Sequence, residues 1–196
     1  MTEEAIIVFL KNPVEGKVKS RLAKSLGSQK ALTIYLKLLE GIRNTIYRLP
    51  YDIHLFYSEK VESDSKWSFV KERWVQKGGN IGERMSHAFN CIFNRGYSKV
   101  VLIGTDIWDL QPAEIRNAMM VLNTCDVVLG PAEDGGYYLI GMKNYIPELF
   151  NLSEWSTSGV LKETLVKCQT LHLEAGMARK LRDIDEPEDL EGTGLI

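Results

Sequence analysis

The chain has 196 residues, of which 44% are hydrophobic and 26% charged, as is ordinary for a globular protein that folds as one domain over residues 1–196. Its formal net charge of −2 argues against a general affinity for nucleic acid or for an anionic membrane surface. Three widely spaced cysteines without a C-x-x-C pair, an acidic amino terminus and the lack of a membrane-length apolar run favour a cytoplasmic location.

Continuous apolar runs of strand length recur along the chain and predict strands that are buried on both faces. The clearest runs are residues 5–10 (AIIVFL), 99–104 (KVVLIG) and 137–142 (YYLIGM). Further strands are predicted at residues 51–57, around 73–76, at 126–130 and near 170–174.

Apolar residues spaced three and four apart predict helices between these strands. The predicted helices cover residues 29–48 after an N-cap at Ser28, 81–94, 112–123, and a segment from a cap at Ser156 or Thr157 to about residue 168. Residues 11–24 are predicted to be a polar loop, and Pro187 is predicted to open a last short helix. Strands that alternate with helices imply an α/β fold with a largely parallel sheet covered on both faces. In such sheets, ligands bind beyond the carboxyl ends of the strands.

The segment that follows the first strand is basic. Pro13 and Gly16 shape a loop with exposed backbone N–H groups, which suit phosphate oxygens together with Lys and Arg side chains. The loop is neither a Walker A motif nor a G-x-G-x-x-G turn, so P-loop chemistry is not predicted, and a merely solvated loop is the alternative. Its five cations are Lys11, Lys17, Lys19, Arg21 and Lys24.

Two carboxylates follow the buried strand 99–104. Asp106 emerges at the edge of the predicted sheet, where an oxygen ligand suits a hard divalent cation that also bridges phosphate oxygens. Asp109 lies three residues before Pro112, and we expect it to cap the next helix.

Glu133 and Asp134 follow the strand at 126–130 and precede two glycines. The pair of glycines predicts either a tight connection between two strands or a turn whose backbone approaches a ligand closely.

The acidic stretch RDIDEPEDL near the carboxyl end is a further candidate. Asp183 and Asp185 alternate about Ile184, so in an extended segment they point the same way, and a metal ion would remove their mutual repulsion. The alternative is a helix start with Asp185 as the N-cap and Glu188 at the third helical position, which leaves Asp183 unexplained.

Six segments together resemble one family, the bacterial GT-A-type glycosyltransferase-like proteins, which include nucleotide-diphospho-sugar transferase-like and radical-SAM/selenodomain-associated transferases. The resemblance extends from about residue 6 to residue 190 and implies a three-layer α/β/α Rossmann-like sandwich with a mostly parallel mixed sheet. The chain is similar, more distantly, to phospholactate and molybdenum-cofactor guanylyltransferases. The segments are KNPVEGKVKSRLA, GGNIGERMSHAF, VVLIGTDIWDL, DVVLGPAEDGGYYLIG, WSTSGVL and LRDIDEPEDL.

The resemblance also implies roles for particular residues. Asp106 matches the metal aspartate of the GT-A acidic motif, and Asp183 or Asp185 supplies the second carboxylate to Mg²⁺ or Mn²⁺. The turn that carries Glu133 and Asp134 faces the acceptor, and a catalytic base is expected among Glu133, Asp134 and Asp185. The implied nucleotide contacts are Lys17, Lys19 and Arg21 for the phosphates, and Gly79, Gly82 and Arg84 for the nucleoside.

One departure from the family pattern concerns the pocket itself. Relatives carry Cys-Pro where this chain has Ile107-Trp108, so the larger Trp108 is expected to reshape or cover the pocket.

The function implied is a metal-dependent transferase that passes a glycosyl group from a nucleotide-activated sugar to a small-molecule acceptor. One alternative is a guanylyltransferase-like nucleotidyltransferase acting on a phosphorylated acceptor. The other is a nucleotide-binding module without turnover.

Overall fold

One mixed sheet organises the part of the chain that the computed structural model describes, residues 3–195. Its strands are β1 (Glu4–Leu10), β2 (Asp52–Tyr57), β3 (Glu72–Val75), β4 (Lys99–Ile103), β5 (Val127–Pro131), β6 (Tyr137–Met142) and β7 (Ala175–Met177). The strand order is β3-β2-β1-β4-β6-β5-β7, and among these strands β6 alone runs antiparallel to its neighbours.

Helices cover both faces of this sheet, as predicted. Successive residues of β1 point to opposite faces: Ile6 and Val8 belong to one apolar core, Ala5 and Ile7 to the other. The helices are α1 (Ser20–Leu26), α2 (Ser28–Ile46), α3 (Ile81–Phe93), α4 (Pro112–Val121) and α5 (Val160–Thr170). The first core includes side chains from α2 and α4, and the second includes side chains from α3 and α5.

The sheet topology brings the candidate segments to one edge. The chain passes from β1 to β2 on one side of β1, and β4 later pairs with the other side, so the strand order reverses at the β1–β4 boundary. Because β6 is antiparallel, the residues before Tyr137 lie at the same edge as the carboxyl ends of β1, β4 and β5. This is the position where open α/β sheets bind ligands.

Two predicted helix caps are wrong. Ser28 is the first residue of α2, and Gly27, at φ 87°, takes the cap position without a side chain. Ser156 and Thr157 do not cap α5, which begins only after Gly159.

Two other segments differ from the prediction for identifiable reasons. The polar loop predicted over residues 11–24 ends early, because α1 begins at Ser20; Leu22 is its one buried residue, so apolar spacing does not mark this helix. The strand predicted near residues 170–174 is wrong, because α5 continues to Thr170 and β7 follows it in parallel pairing with β5.

A buried polar network lies at the opposite, amino-terminal edge of the sheet. The His54 side chain is 0% exposed, and its Nε2 lies 3.2 Å from the Tyr97 hydroxyl, which donates to Asp52 Oδ2 over 2.8 Å. Its Nδ1 lies 3.4 Å from Glu72 Oε2. Burial lowers the pKa of His54 to about 4, against the opposing effect of the Glu72 and Asp52 carboxylates, so the imidazole is neutral at pH 7.

Candidate active site

A cleft with two adjoining compartments opens at the carboxyl edge of the sheet, and Asp106 and Tyr137 line both of them. The acidic compartment, a cavity of about 220 Å³, is lined by Asp106, Asp134, Asp183 and Asp185, together with Tyr137, Trp155 and Thr157. The cationic compartment, a cavity of about 230 Å³, is lined by Lys11 and Arg84, together with Ser58, Gln76 and Thr105.

The carboxyl-terminal acidic stretch runs beside the end of β4. Asp183 forms an antiparallel bridge with Ile107, and the Ile184 N–H donates to the Asp106 carbonyl oxygen over 2.9 Å. Asp183 and Asp185 therefore lie in the same compartment as Asp106, as the alternating pattern about Ile184 predicts.

Lys19 neutralises part of this acidic cluster. Its Nζ donates to the Ile184 carbonyl oxygen over 2.6 Å and to Asp185 Oδ1 over 3.2 Å, and it forms an ion pair with Asp106. The Lys19 side chain is only 3% exposed, and its backbone takes the left-handed conformation at φ 49°. In this structure, the ammonium predicted to contact phosphate instead binds two of the three predicted metal ligands.

The other cations predicted to bind phosphate lie outside the cleft. Lys17 Nζ pairs with Glu59 over 3.1 Å, and Arg21 Nε pairs with Glu186 over 3.5 Å, with all four side chains about half exposed or more. Lys17 and Arg21 line neither compartment. Lys11, the first cation of the same basic run, does line the cationic compartment, because it follows β1 directly.

The GGNIGER segment begins α3 beside the cleft. Gly79 N–H donates to Glu83 Oε2 over 2.7 Å, so this glycine serves the helix start and lines neither compartment. Gly82 lies under Trp155, since a Cβ at this position would come within 2.3 Å of the indole ring. Arg84 lines the cationic compartment, and its Nε donates to the Gly78 carbonyl oxygen over 3.1 Å.

The turn between β5 and β6 brings one of its two acids into the cleft. Asp134 lines the acidic compartment, and its Oδ1 accepts a hydrogen bond of 2.8 Å from Gly136 N–H. Glu133 is exposed and does not line the compartment, so the structure does not bring it to the other carboxylates.

Asp183 lies in a partly buried, acidic environment. Burial raises the pKa of this carboxyl to about 6, and the nearby Asp134 carboxylate contributes to the rise. The acidic compartment therefore retains negative charge that Lys19 does not neutralise.

The site has the ligand type that a divalent cation prefers, but its side chains are not arranged as a metal site. Carboxylate oxygens are the ligands that Mg²⁺ and Mn²⁺ prefer. Yet in residues 3–195 no group of three or more His, Cys, Asp or Glu side chains is arranged to hold a metal ion. Lys19 lies between Asp106 and Asp185, so the predicted metal role of Asp106, Asp183 and Asp185 stays a prediction.

Asp109 does not cap α4, contrary to the prediction, and Asp185 does not cap the last short helix, which rules out the alternative interpretation of RDIDEPEDL. Gln111 precedes α4, and its N–H donates to Glu114 Oε2 over 2.9 Å, while the Asp109 carboxylate pairs with Arg179 over 3.4 Å. At the last short 3-10 helix (Pro187–Leu190), Asp189 Oδ2 accepts from the N–H groups of Asp185 and Glu186 over 2.8 and 2.7 Å. The cap is therefore Glu186, one residue later than in the alternative interpretation, and the Asp185 carboxylate binds Lys19 instead.

Trp108 does not cover the cleft, contrary to expectation. Its side chain is 37% exposed and lines neither compartment, whereas the preceding Ile107 is buried and lines the acidic one. The tryptophan that borders the acidic compartment is instead Trp155, which lies in the segment before α5 and packs against Gly82 of α3. The spacing of the sequence does not reveal this, since Trp155 lies 49 positions from Asp106.

Tyr35 holds the loop after β1 against the site. Its hydroxyl accepts from the Lys11 N–H over 2.8 Å and lies 3.0 Å from the Lys11 carbonyl oxygen and 3.3 Å from Thr105 Oγ1. The side chain is 1% exposed, and burial raises the pKa of its hydroxyl far above the usual range. Tyr35 thus connects α2 to both strand ends that border Asp106.

We expect Tyr35→Phe to lower the free energy of unfolding by about 1–3 kcal/mol, because it leaves the polar groups of Lys11 without their buried partner. Equilibrium urea unfolding measures this loss. The exposed Tyr47 provides a matched control, since Tyr47→Phe should change stability by less than about 0.5 kcal/mol. Equal effects of the two substitutions would contradict the assigned role of Tyr35.

The comparisons with known proteins agree with this fold. A solved structure described as a "putative nucleotide-diphospho-sugar transferase from Desulfovibrio desulfuricans G20" has a TM-score of 0.88 and 34% identity, over 97% of this chain and 85% of that chain. The inositol-1-phosphate CTP transferase from T. maritima has a TM-score of 0.55 and 14% identity, over 99% of this chain and 94% of that chain. A cytidylyltransferase from Leptospira borgpetersenii serovar Hardjo-bovis (strain JB197) has a TM-score of 0.61 and 12% identity, over 97% and 84%.

The last two similarities support the fold alone, because their identities are low. No curated protein matches the chain. Within residues 3–195, no helix has the length and apolarity needed to cross a membrane.

The profile of the DUF2064 family, described as "Uncharacterized protein conserved in bacteria", matches residues 42–157. This match covers more than half of the chain, and it includes β4 and the Glu133–Asp134 turn. Together with the Desulfovibrio structure, it confirms the resemblance identified from the six sequence segments. The chain therefore belongs to the DUF2064 family and has the fold of the nucleotide-diphospho-sugar transferases.

Proposed function

We propose that the protein is a transferase that binds a nucleotide-activated sugar in the cleft and passes the glycosyl group to a small-molecule acceptor. The observation that carries this proposal is the convergence of four aspartates beside a compartment lined by Lys11 and Arg84. The family membership and the description of the Desulfovibrio protein support it.

In this proposal, each compartment binds a different part of the substrates. The cationic compartment takes the nucleotide, with Lys11 and Arg84 next to the phosphates, and it shares Asp106 with the acidic compartment. The acidic compartment takes the sugar and the acceptor, whose hydroxyl groups suit carboxylate acceptors. Trp155 and Tyr137 provide apolar surface against which a sugar ring packs.

The proposed transfer needs a proton acceptor in the acidic compartment. The acceptor oxygen forms a bond to the anomeric carbon, the bond from that carbon to the diphosphate breaks, and the acceptor proton moves to a carboxylate. Asp134 is the candidate base on the turn, since Glu133 lies outside the cleft; Asp185 is the candidate from the carboxyl-terminal stretch. Asp106 and Asp185, with Asp183, would hold a divalent cation, which would neutralise charge on the departing diphosphate.

A nucleotidyltransferase is the second candidate, and the cations of the cationic compartment favour it. A phosphorylated acceptor brings additional negative charge, which Lys11 and Arg84 suit. In that reaction the acceptor phosphate attacks the α-phosphate of a nucleoside triphosphate, and pyrophosphate leaves. Pyrophosphate release from a triphosphate in the presence of a metabolite pool would identify this reaction.

The proposed function is tested by thermal unfolding with a panel of nucleoside diphosphates and nucleotide sugars. We expect a saturating ligand to raise the melting temperature by about 5–10 °C when Mg²⁺ or Mn²⁺ is present. Asp106→Ala should remove this shift, because it removes a carboxylate common to both compartments. Asp109→Ala is the control, since Asp109 is exposed, lies three residues away and lines neither compartment.

Two outcomes would contradict the site assignment. One is the absence of any shift across the panel, and the other is a metal-independent shift that Asp106→Ala leaves unchanged.

A further inference from the structure

The ammonium group of Lys19 has all three of its N–H donors engaged inside the site. Its acceptors are the Ile184 carbonyl oxygen, Asp185 Oδ1 and the Asp106 carboxylate. The Lys19 side chain is 3% exposed, whereas the side chains of Asp106 and Asp185 are 47% and 39% exposed. The two carboxylates thus face the cleft, and the ammonium contacts them from the protein interior.

We propose that Lys19 is a built-in counter-ion that offsets one of the two negative charges of the Asp106–Asp185 pair and occupies the space between these carboxylates before any nucleotide arrives, so that a divalent cation binds this pair only together with phosphate. The inference deepens the proposed function, on which it rests for the presence of phosphate beside the pair.

Lys19 differs from its neighbours in the basic loop because its side chain is buried at the site. Lys17 and Arg21, two residues away on either side, are well exposed and pair with surface glutamates. Lys19 instead occupies the left-handed backbone region at φ 49°, which costs energy for a residue with a Cβ, and it immediately precedes α1. The left-handed backbone at Lys19 thus directs this cation, unlike its two neighbours, into the interior against the two carboxylates.

The electrostatic consequence for a metal ion follows from Coulomb's law. An ammonium at hydrogen-bond distance from the two carboxylates repels any further cation that approaches them. Phosphate groups in the adjoining compartment add negative charge beside Asp106, and this charge compensates for the repulsion. Charge therefore favours binding of the metal ion together with the phosphate. Before they bind, Lys19 is the cation that contacts the two carboxylates.

The inference is tested by titrating Mn²⁺ without any nucleotide and measuring free Mn²⁺ by electron paramagnetic resonance. We expect the wild type to bind Mn²⁺ only at millimolar concentrations, and Lys19→Met to bind it at least about tenfold more tightly, because the two carboxylates lose their counter-ion. Lys17→Met, which removes an exposed cation two residues away, should bind Mn²⁺ as the wild type does. Lys19→Met combined with Asp185→Asn should lose the gained affinity.

Two results would overturn the inference: wild-type binding at micromolar Mn²⁺, or a folded Lys19→Met variant without increased affinity. Far-ultraviolet circular dichroism and a cooperative urea transition establish whether the variant is folded. If Lys19→Met does not fold, Lys19→Ala is measured instead, with and without ethylammonium, a small cation that can occupy the space of the missing ammonium. Ethylammonium should then displace Mn²⁺ that is bound to this variant. Tight Mn²⁺ binding by the wild type would overturn the inference whichever variant folds. Because no nucleotide is present, a negative result here is distinct from failure of the nucleotide panel, which tests the proposed function.

Discussion

Gly135→Ala should lower the free energy of unfolding by about 2–5 kcal/mol. Gly135 has φ 91°, a region that residues with a Cβ rarely adopt, and a Cβ there would lie 2.3 Å from the Ser158 carbonyl oxygen. The contact is with backbone, so no side-chain rotation relieves it. The Gly135 carbonyl oxygen also accepts from the Leu161 N–H over 3.1 Å, which ties the turn to the start of α5.

A matched control separates the two causes of this loss. Gly192 also has a positive φ, 75°, but nothing lies within 4 Å of its hypothetical Cβ. Gly192→Ala should therefore cost only the backbone strain, about 1–2 kcal/mol. Urea unfolding of both variants measures the difference, and equal losses would show that Ser158 withdraws freely and that the close approach is unimportant.

The same substitution should also weaken binding in the cleft. Gly135 follows Asp134 directly, so a displaced turn moves that carboxylate within the acidic compartment. The nucleotide-sugar panel applied to folded Gly135→Ala reports this effect separately from stability.

Acidification should destabilise the protein by about 3 kcal/mol through His54 alone. The folded-state pKa of about 4 lies below the ordinary value of 6.5, so the unfolded chain binds the proton more readily than the native protein does between these values. The stability that the neutral imidazole contributes is therefore complete above pH 6.5 and is lost as the pH falls towards 4. Free energies of urea unfolding at pH 7 and pH 4.5 measure most of this loss, about 2 kcal/mol.

A variant without the imidazole should lose much of this pH dependence. His54→Leu removes one of the two hydrogen-bond partners of the Tyr97 hydroxyl, so we expect lower stability at pH 7 but a smaller drop between pH 7 and pH 4.5. The exposed His172 is the control, and His172→Asn suits its φ of 55° and should leave the drop unchanged. A drop of the same size in His54→Leu and the wild type would assign the acid sensitivity to other groups.

The strands were predictable because they are buried on both faces. β6 has the predicted bounds, and β1 and β4 differ from the prediction by one residue each, since uninterrupted apolar runs leave little choice of register or face. β7 was not predictable from its Ala-Gly-Met sequence, which has little intrinsic strand preference. Its position results from pairing with β5, which is a tertiary effect.

The sequence pattern predicted the positions of the carboxylates in the candidate site but not the positions of its cations. Asp106, Asp183 and Asp185 converge because strand ends and an alternating extended segment have directions that the sequence pattern determines. The direction of a lysine in a loop depends on its backbone torsion angles, and no local pattern marks φ 49° at Lys19. The cap at Glu186 was missed by one residue for a similar reason: several acids in RDIDEPEDL fit the cap position equally well.

The contact between Lys19 and Ile184 joins residues 165 positions apart, and this separation constrains when the site can form. During synthesis the amino-terminal strands and helices emerge long before the RDID stretch, so they must fold, or wait, with the Lys19 ammonium lacking its partners. Closing so long a loop is among the slower steps of folding, since its entropy cost precedes any gain from the contact. The acidic compartment therefore forms only after the RDID stretch has been made and has packed beside the end of β4.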